Sequence, residues 1–254
     1  MAGRDVTGDS TGIGSTLIYY LATSGNYLYV GKDADATACS QTAGSAIGCE
    51  LMVFDISSST NPTYVAGRDV SGSSAGTGSA YIYTLTTVGN YLYVGKQGNA
   101  TACSQTAGSA IGCELQVYDI SSATNPVYVA GRDVAGNSTG IDSINIYALT
   151  TLGNYLYVGK NGDLTSCSQT AGSAIGCELM VFDISSSTNP VYVAGRDLTG
   201  DSAGTGFGYI SALTTFGNYL YIGKQFNSTA CSQTAGSAIG CELMAFDISS
   251  STNP

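Results

Sequence analysis

The chain has 254 residues, 18 of them acidic and only eight basic, for a net charge of −10, and it contains neither His nor Trp. So little positive charge argues against nucleic-acid binding, which needs clustered Lys and Arg to displace counterions, and against attraction to anionic membranes. No apolar run approaches the length that spans a bilayer, and without His there is no Ser–His or Cys–His dyad and no histidine metal ligand.

Ala2-Gly3-Arg4-Asp5-Val6 returns as 66–70, 130–134 and, with Leu198 in place of Val, 194–198, and Asn61-Pro62 returns as 125–126, 189–190 and 253–254. A fixed period of 64 residues means stacked copies of one supersecondary unit, each burying its apolar faces against its neighbours. The units run 1–62, 63–126, 127–190 and 191–254 and are expected to form one domain. In the second unit, Ser79–Thr86 is predicted as a first strand and Val88-Gly89-Asn90 as a tight hairpin turn. Tyr91–Lys96 is the second strand, Gln97–Cys113 a long connection, Glu114–Ile120 the third strand, Ser121–Pro126 a turn and Val127–Gly131 the fourth strand. Val, Ile, Thr and Tyr fill the apolar runs and Gly, Ser and Asn separate them, which favours strands throughout. Four antiparallel strands, apolar on both faces, describe a propeller blade held between blades. The predicted fold class is therefore all-β, a propeller of four four-stranded blades per chain, with an eight-bladed ring from two chains as the alternative.

Cys39/Cys49, Cys103/Cys113, Cys167/Cys177 and Cys231/Cys241 share one spacing. The even count and local pairing predict four disulfides within units and an oxidising compartment. Zinc would require two pairs to converge per site. The first residues, Met1-Ala2-Gly3-Arg4-Asp5, hold no apolar signal core, so a mature or excised piece is expected.

Gly25-Asn26-Tyr27-Leu28-Tyr29-Val30, Glu50-Leu51-Met52-Val53-Phe54-Asp55-Ile56-Ser57 and Thr60–Gly67 resemble the LVIVD repeat of bacterial and archaeal surface proteins. The resemblance covers the second to fourth strands of each unit. It implies a β-propeller and carries no catalytic residues. The long cysteine-bearing connection and the Gly/Ser/Thr segment after Arg4-Asp5 depart from it. The chain opens on the tail of a fourth strand and ends after a third, so the N-terminal piece is expected to be able to complete the last blade.

Asp5, Glu50 and Asp55 recur in every unit, and paired carboxylates serve glycoside hydrolysis. Turn bonding by Asp55, edge protection by Arg4-Asp5 and a cross-strand pair of Glu50 with Lys32 explain them better, so no enzyme and no cofactor or metal is expected. Asp5–Ser10 resembles a loose calcium loop, yet position 9 becomes Ser73 and Asn137, and a solvated loop is the default reading. Asn99, Asn137 and Asn227 stand in glycosylation-acceptor patterns. Their frequency fits the abundance of Ser and Thr.

The units differ mainly in two stretches, one leading into the first strand and one before the first Cys. Drift in tolerant loops would explain this, but the Ser40–Gly48 segment is identical in all copies. Leu17, Tyr81, Asn145 and Tyr209 occupy one repeat position, beside Tyr19, Tyr83, Tyr147 and Ser211. Asp33, Gln97, Asn161 and Gln225 are expected on the same face, at the channel mouth. Exposed aromatics beside amides and a carboxylate suit a protein or glycan ligand. The expectation is a non-catalytic binding or scaffold propeller, extracellular or at the cell surface. The alternatives are a lectin-like module or a self-assembling surface-layer or filament subunit.

Overall fold

A computed structural model of the chain describes residues 6, 16–33, 39, 49–70, 80–98, 103, 112–134, 144–162, 167, 176–198, 208–225, 231 and 241–250. Every regular element among them is a strand. Blade 1 contains β1 (Ile18–Ser24), β2 (Tyr27–Lys32), β3 (Leu51–Asp55) and β4 (Thr63–Arg68). Blade 2 contains β5 (Ile82–Val88), β6 (Tyr91–Lys96), β7 (Leu115–Asp119) and β8 (Val127–Arg132). Blade 3 contains β9 (Ile146–Leu152), β10 (Tyr155–Lys160), β11 (Leu179–Asp183) and β12 (Val191–Arg196). Blade 4 contains β13 (Ile210–Phe216), β14 (Tyr219–Lys224) and β15 (Leu243–Asp247). Strands pair antiparallel in sequence order within each blade. This is the propeller-type repeat expected from the sequence, with strand ends at most three residues from their predicted places.

Each first hairpin turns on two residues, as at Gly25-Asn26 and Gly89-Asn90. Gly25, Gly89, Gly153 and Gly217 have φ of 54–57°, while no non-Gly residue is at positive φ. A left-handed residue at the first central position alone is the type II′ arrangement, whose twist matches that of the strands and which glycine adopts without strain. The turn is tied to the third strand, as Ile56 N donates to Asn26 O at 2.8 Å.

The cores lie between blades. Tyr29, Leu51, Val53 and Val70 of blade 1 pack with Ile82, Leu85, Leu92 and Tyr118 of blade 2. Tyr93, Leu115, Val117 and Val134 pack in the same way on blade 3, and Tyr157, Leu179, Val181 and Leu198 on blade 4. Gly31, Gly95 and Gly159 permit close approach. A Cβ at Gly31 would sit 2.5 Å from Ile82 Cγ2, and one at Gly95 2.6 Å from Ile146 Cγ2. Polar links cross the same contacts. Thr87 Oγ1 donates to Thr23 O at 3.0 Å, and Arg68 donates to Pro126 O and Asn125 Oδ1, both at 2.6 Å.

The inner strands neighbour one another in the order β1, β5, β9, β13. Blades 1 and 4 are the ends of this series. Ile18 and Leu21 on blade 1 are 47% and 53% exposed, and Phe216 and Leu243 on blade 4 are 78% and 73% exposed. Val6 rests against Val30, Met52 and Phe54 on the outer face of blade 1. The strand pairing of residues 1–5, on which completion of the last blade would depend, lies outside the described residues.

All four predicted disulfides form: Cys39–Cys49, Cys103–Cys113, Cys167–Cys177 and Cys231–Cys241. The inner cysteine lies under a tyrosine of the fourth strand, with Cys49 Sγ 3.9 Å from Tyr64 OH and Cys113 Sγ 3.7 Å from Tyr128 OH. A Cβ at Gly67 would strike both Cys49 and Tyr64, so glycine is required there. Disulfides of this number point to an oxidising, extracellular-type environment. Among the described residues no helix is long and apolar enough to cross a membrane.

Candidate functional site

The end of each second strand binds the residue that precedes the first strand. Asp33 N donates to Leu17 O at 3.1 Å, Gln97 N to Tyr81 O at 2.9 Å, Asn161 N to Asn145 O at 3.3 Å and Gln225 N to Tyr209 O at 2.9 Å. In blades 1 and 3 a side chain returns the bond: Leu17 N donates to Asp33 Oδ1 at 3.0 Å, and Asn145 N to Asn161 Oδ1 at 2.6 Å. The two variable positions are thus clamped together at one end of every blade. Neighbouring blades also join there, through bridges between Gln97 and Asn145 and between Asn161 and Tyr209.

The third variable position is set by a β-bulge. Ile18 pairs with Lys32 and Tyr20 with Gly31, leaving Tyr19 as the extra residue. Tyr83, Tyr147 and Ser211 are extra in the same way. A bulge interrupts strict alternation and re-aims a side chain. Here it brings the bulged residue into a row with the residue that precedes the strand. Tyr19 meets Tyr81 and Tyr83 with ring centroids 6.1 and 5.3 Å apart. Tyr81 stacks on Tyr83 at 6.0 Å. Tyr83 meets Tyr147 at 4.9 Å, and Tyr147 meets Tyr209 at 4.7 Å. These spacings are those of favourable aromatic pairs.

Five of the twelve candidate residues therefore form one continuous aromatic row across all four blades. Each is partly or more fully exposed. Leu17 is an exposed aliphatic at the head of the row, Ser211 turns its hydroxyl to Gly223 O at 3.1 Å, and Gln225 is exposed beside Tyr209. Asn145 Nδ2 donates to Tyr147 OH at 2.9 Å. Gln97 Oε1 and Asn145 Oδ1 are shielded from solvent and have no hydrogen-bond partner among the described residues, a state that costs free energy until a donor arrives. Burial pushes the Tyr83 hydroxyl up to about 12, with Tyr147, Tyr19 and Tyr81 adding to the effect, so it stays a neutral donor. The Tyr19 hydroxyl is also raised, mainly by burial and then by the charge of Asp33.

The recurring carboxylates lie elsewhere. Glu50, Glu114 and Glu178 are 1–3% exposed and accept from the backbone N of Val70, Val134 and Leu198 at 3.0–3.1 Å. Burial raises Glu50 to about 8 and the other two to about 7. Backbone N–H donors and Lys32 oppose the shift at Glu50 without cancelling it. The predicted partnership of Glu50 with Lys32 thus includes a neighbouring charge and a backbone bond from Lys32 N to Glu50 O at 3.0 Å, while the carboxylate itself caps Val70. Asp55, Asp119, Asp183 and Asp247 each accept from the backbone N two residues on at 2.8 Å. These turn bonds hold their carboxyls below the usual range. The Ser40–Gly48 loop, the glycosylation patterns at Asn99, Asn137 and Asn227, and the Asp5–Ser10 segment apart from Val6 lie outside the described residues.

The LVIVD repeat model matches residues 20–36 and 148–165. Two stretches of the chain are thus similar to the LVIVD repeat. The matched stretches fall on the first hairpins of blades 1 and 3 and include the Gly25–Val30 segment, while the third and fourth strands lie outside them. The matches end beside the Asp33 and Asn161 clamps. Among solved structures the chain is similar to the crystal structure of the computationally designed Ika4 protein, at 15% identity and a TM-score of 0.44, over 97% of this chain and 99% of that one. A comparison with curated proteins gave no match.

Sequence reasoning placed these residues on one face but missed the bulge. A bulge is a property of register between two strands, and the repeated Ile-Tyr pair carries no mark of it.

Proposed function

We propose that the chain is a non-catalytic extracellular or cell-surface binding propeller whose tyrosine row receives a polar ligand, with a glycan as the favoured class. The observation that carries this reading is the row itself: five partly exposed tyrosines in unbroken contact across four blades, beside two shielded amide oxygens without donors. Sugar rings offer C–H faces that pack on aromatic rings and hydroxyls that donate to carbonyl oxygens. Gln97 Oε1 and Asn145 Oδ1 supply acceptors of the latter kind. Recognition sites combine such apolar surface with a few placed polar groups. Glu50, Glu114 and Glu178 are buried and cap backbone amides, and Asp55, Asp119, Asp183 and Asp247 are engaged in turn bonds. An extended polar peptide is the second candidate for the same row.

A panel of soluble oligosaccharides and extended peptides tests this. Tyr81→Ala with Tyr209→Ala is expected to weaken binding of the best ligand by about tenfold or more, at about 1 kcal/mol per aromatic contact. The melting temperature should change little. Equal binding by the double variant would remove the row from consideration.

A further inference from the structure

The two ends of the blade series are complementary halves of a contact that the chain already makes three times. At each internal contact, the isoleucine that opens an inner strand seats over a glycine of the preceding blade. A Cβ at Gly31, Gly95 or Gly159 would lie 2.5–2.6 Å from Cγ2 of Ile82, Ile146 or Ile210. Gly223 is the fourth such glycine. The nearest atom to its Cβ is Ala212 Cβ of its own hairpin, at 3.5 Å, so the seat for an isoleucine stands open. Ile18 is the fourth such isoleucine and is 47% exposed, where its three counterparts are buried to 0–1%.

The surrounding residues agree. Leu243 is 73% exposed, while Leu51, Leu115 and Leu179 are at 0%. Glu242 is exposed, whereas Glu50, Glu114 and Glu178 are buried. Internal contacts set a lysine of the following blade within electrostatic reach of this glutamate, Lys96 of Glu50 and Lys224 of Glu178. Lys32 holds that lysine position on blade 1. Val6 repeats Val70. It lies on blade 1 against Val30, Met52 and Phe54, while Val70 lies in the core shared by blades 1 and 2. At its inner strand, through Ile18, Tyr20 and Leu21, blade 1 therefore presents the surface that follows a blade, with Val30, Lys32, Met52 and Phe54 behind it already buried, and blade 4 presents the surface that precedes one.

We propose that blade 4 of one chain docks on blade 1 of a second copy, with Ile18 of each seated over Gly223 of the other, so that two chains close an eight-bladed ring. A head-to-tail contact gives a ring when its rotation closes and a filament when it does not. Closed rings of a four-blade chain hold a multiple of four blades. The exposed Ile18 and Leu243 favour closure beyond four, and eight lies within the ordinary range for propellers.

Sedimentation equilibrium on the purified 254-residue chain across dilutions tests the proposal. The expected mass is twice the 25.8 kDa of one chain. Gly223→Val has room within its own hairpin, so it should keep the strand signature in circular dichroism and sediment as one chain. Ile18→Asp, at the other face, should do the same. Mixing the two variants unites one intact blade 4 face with one intact blade 1 face and should restore the doubled mass. Wild type at 25.8 kDa at every dilution would overturn the proposal, as would a doubled mass that survives Gly223→Val. A mass that grows without limit as concentration rises would overturn closure of the ring.

Discussion

The glycine–isoleucine contacts between blades and the tyrosine row at the blade ends lie in the same repeat, yet they vary in opposite ways. Gly31, Gly95 and Gly159 meet isoleucine every time. The row holds Leu17, Tyr81, Asn145 and Tyr209 at one position, and Tyr19, Tyr83, Tyr147 and Ser211 at the other. The first set has no space to change, because each side chain is sealed by the next blade. The second ends in solvent on one side, so a change there alters what the surface offers without disturbing the stack. The contacts between blades hold the fold, and the row is where copies of one unit can acquire different chemistry.

Breaking a sealed contact should have the largest effect. Gly95→Val would drive two methyl groups into Ile146 and Thr84, both already within 2.6 Å of a bare Cβ. Overpacking of a rigid core costs about 3 kcal/mol or more where backbone must move. Thermal unfolding should register a loss on the order of 10 °C for a chain of this size.

The buried carboxylates give a smaller, pH-dependent effect. Their folded values of about 8 for Glu50 and about 7 for Glu114 and Glu178 lie above the ordinary 4.5. The fold thus favours the protonated form. That contribution is fully present below pH 4.5 and is lost as pH rises to about 8. Lys96, lowered to about 8 by burial, acts the other way, because its penalty is constant below pH 8 and is relieved above it. Melting temperature should therefore fall by several degrees between pH 5 and 8, a few kcal/mol in all, and level off or recover above pH 8. A melting temperature that rises steadily from pH 5 to 8 would contradict this.

Blade 2 contains an exception that sharpens the comparison. Where blades 1, 3 and 4 have Met and Phe two residues apart, blade 2 has Gln116 and Tyr118. Both are buried. Gln116 Nε2 donates to Val70 O at 3.0 Å, and Tyr118 OH donates to Gln116 Oε1 at 2.8 Å. A sealed position has changed here, but only as a pair that satisfies itself. Tyr118→Phe should cost about 1–3 kcal/mol by stranding the Gln116 oxygen. Gln116→Met with Tyr118→Phe restores the pattern of the other blades and should be close to neutral in denaturant unfolding.

Much of the architecture was legible in the sequence. The 64-residue period, the Gly-Asn turns and the Tyr-Leu-Tyr-Val runs mark blades and strands because turn chemistry and β-branched content are local. The cysteine pairs were legible because the two members stand ten positions apart in every unit. That Asp33, Gln97, Asn161 and Gln225 stand beside positions 17, 81, 145 and 209 followed from strand order alone. The bulge at Tyr19, Tyr83, Tyr147 and Ser211 was not legible, since it depends on register against the second strand. Nor was the exposure of Leu243 and Ile18, whose sequence context matches that of buried counterparts; burial there is decided by the neighbouring blade.

The chain's 18 tyrosines and lack of Trp allow both regions to be observed at once. Titration of ring-labelled tyrosine NMR signals with the best oligosaccharide from a binding panel is the most direct test. The account predicts shifts confined to Tyr19, Tyr81, Tyr83, Tyr147 and Tyr209, with Tyr29, Tyr93 and Tyr157 between the blades unmoved. Binding that leaves the row unshifted and moves Tyr64, Tyr128 and Tyr192 at the disulfides would contradict it.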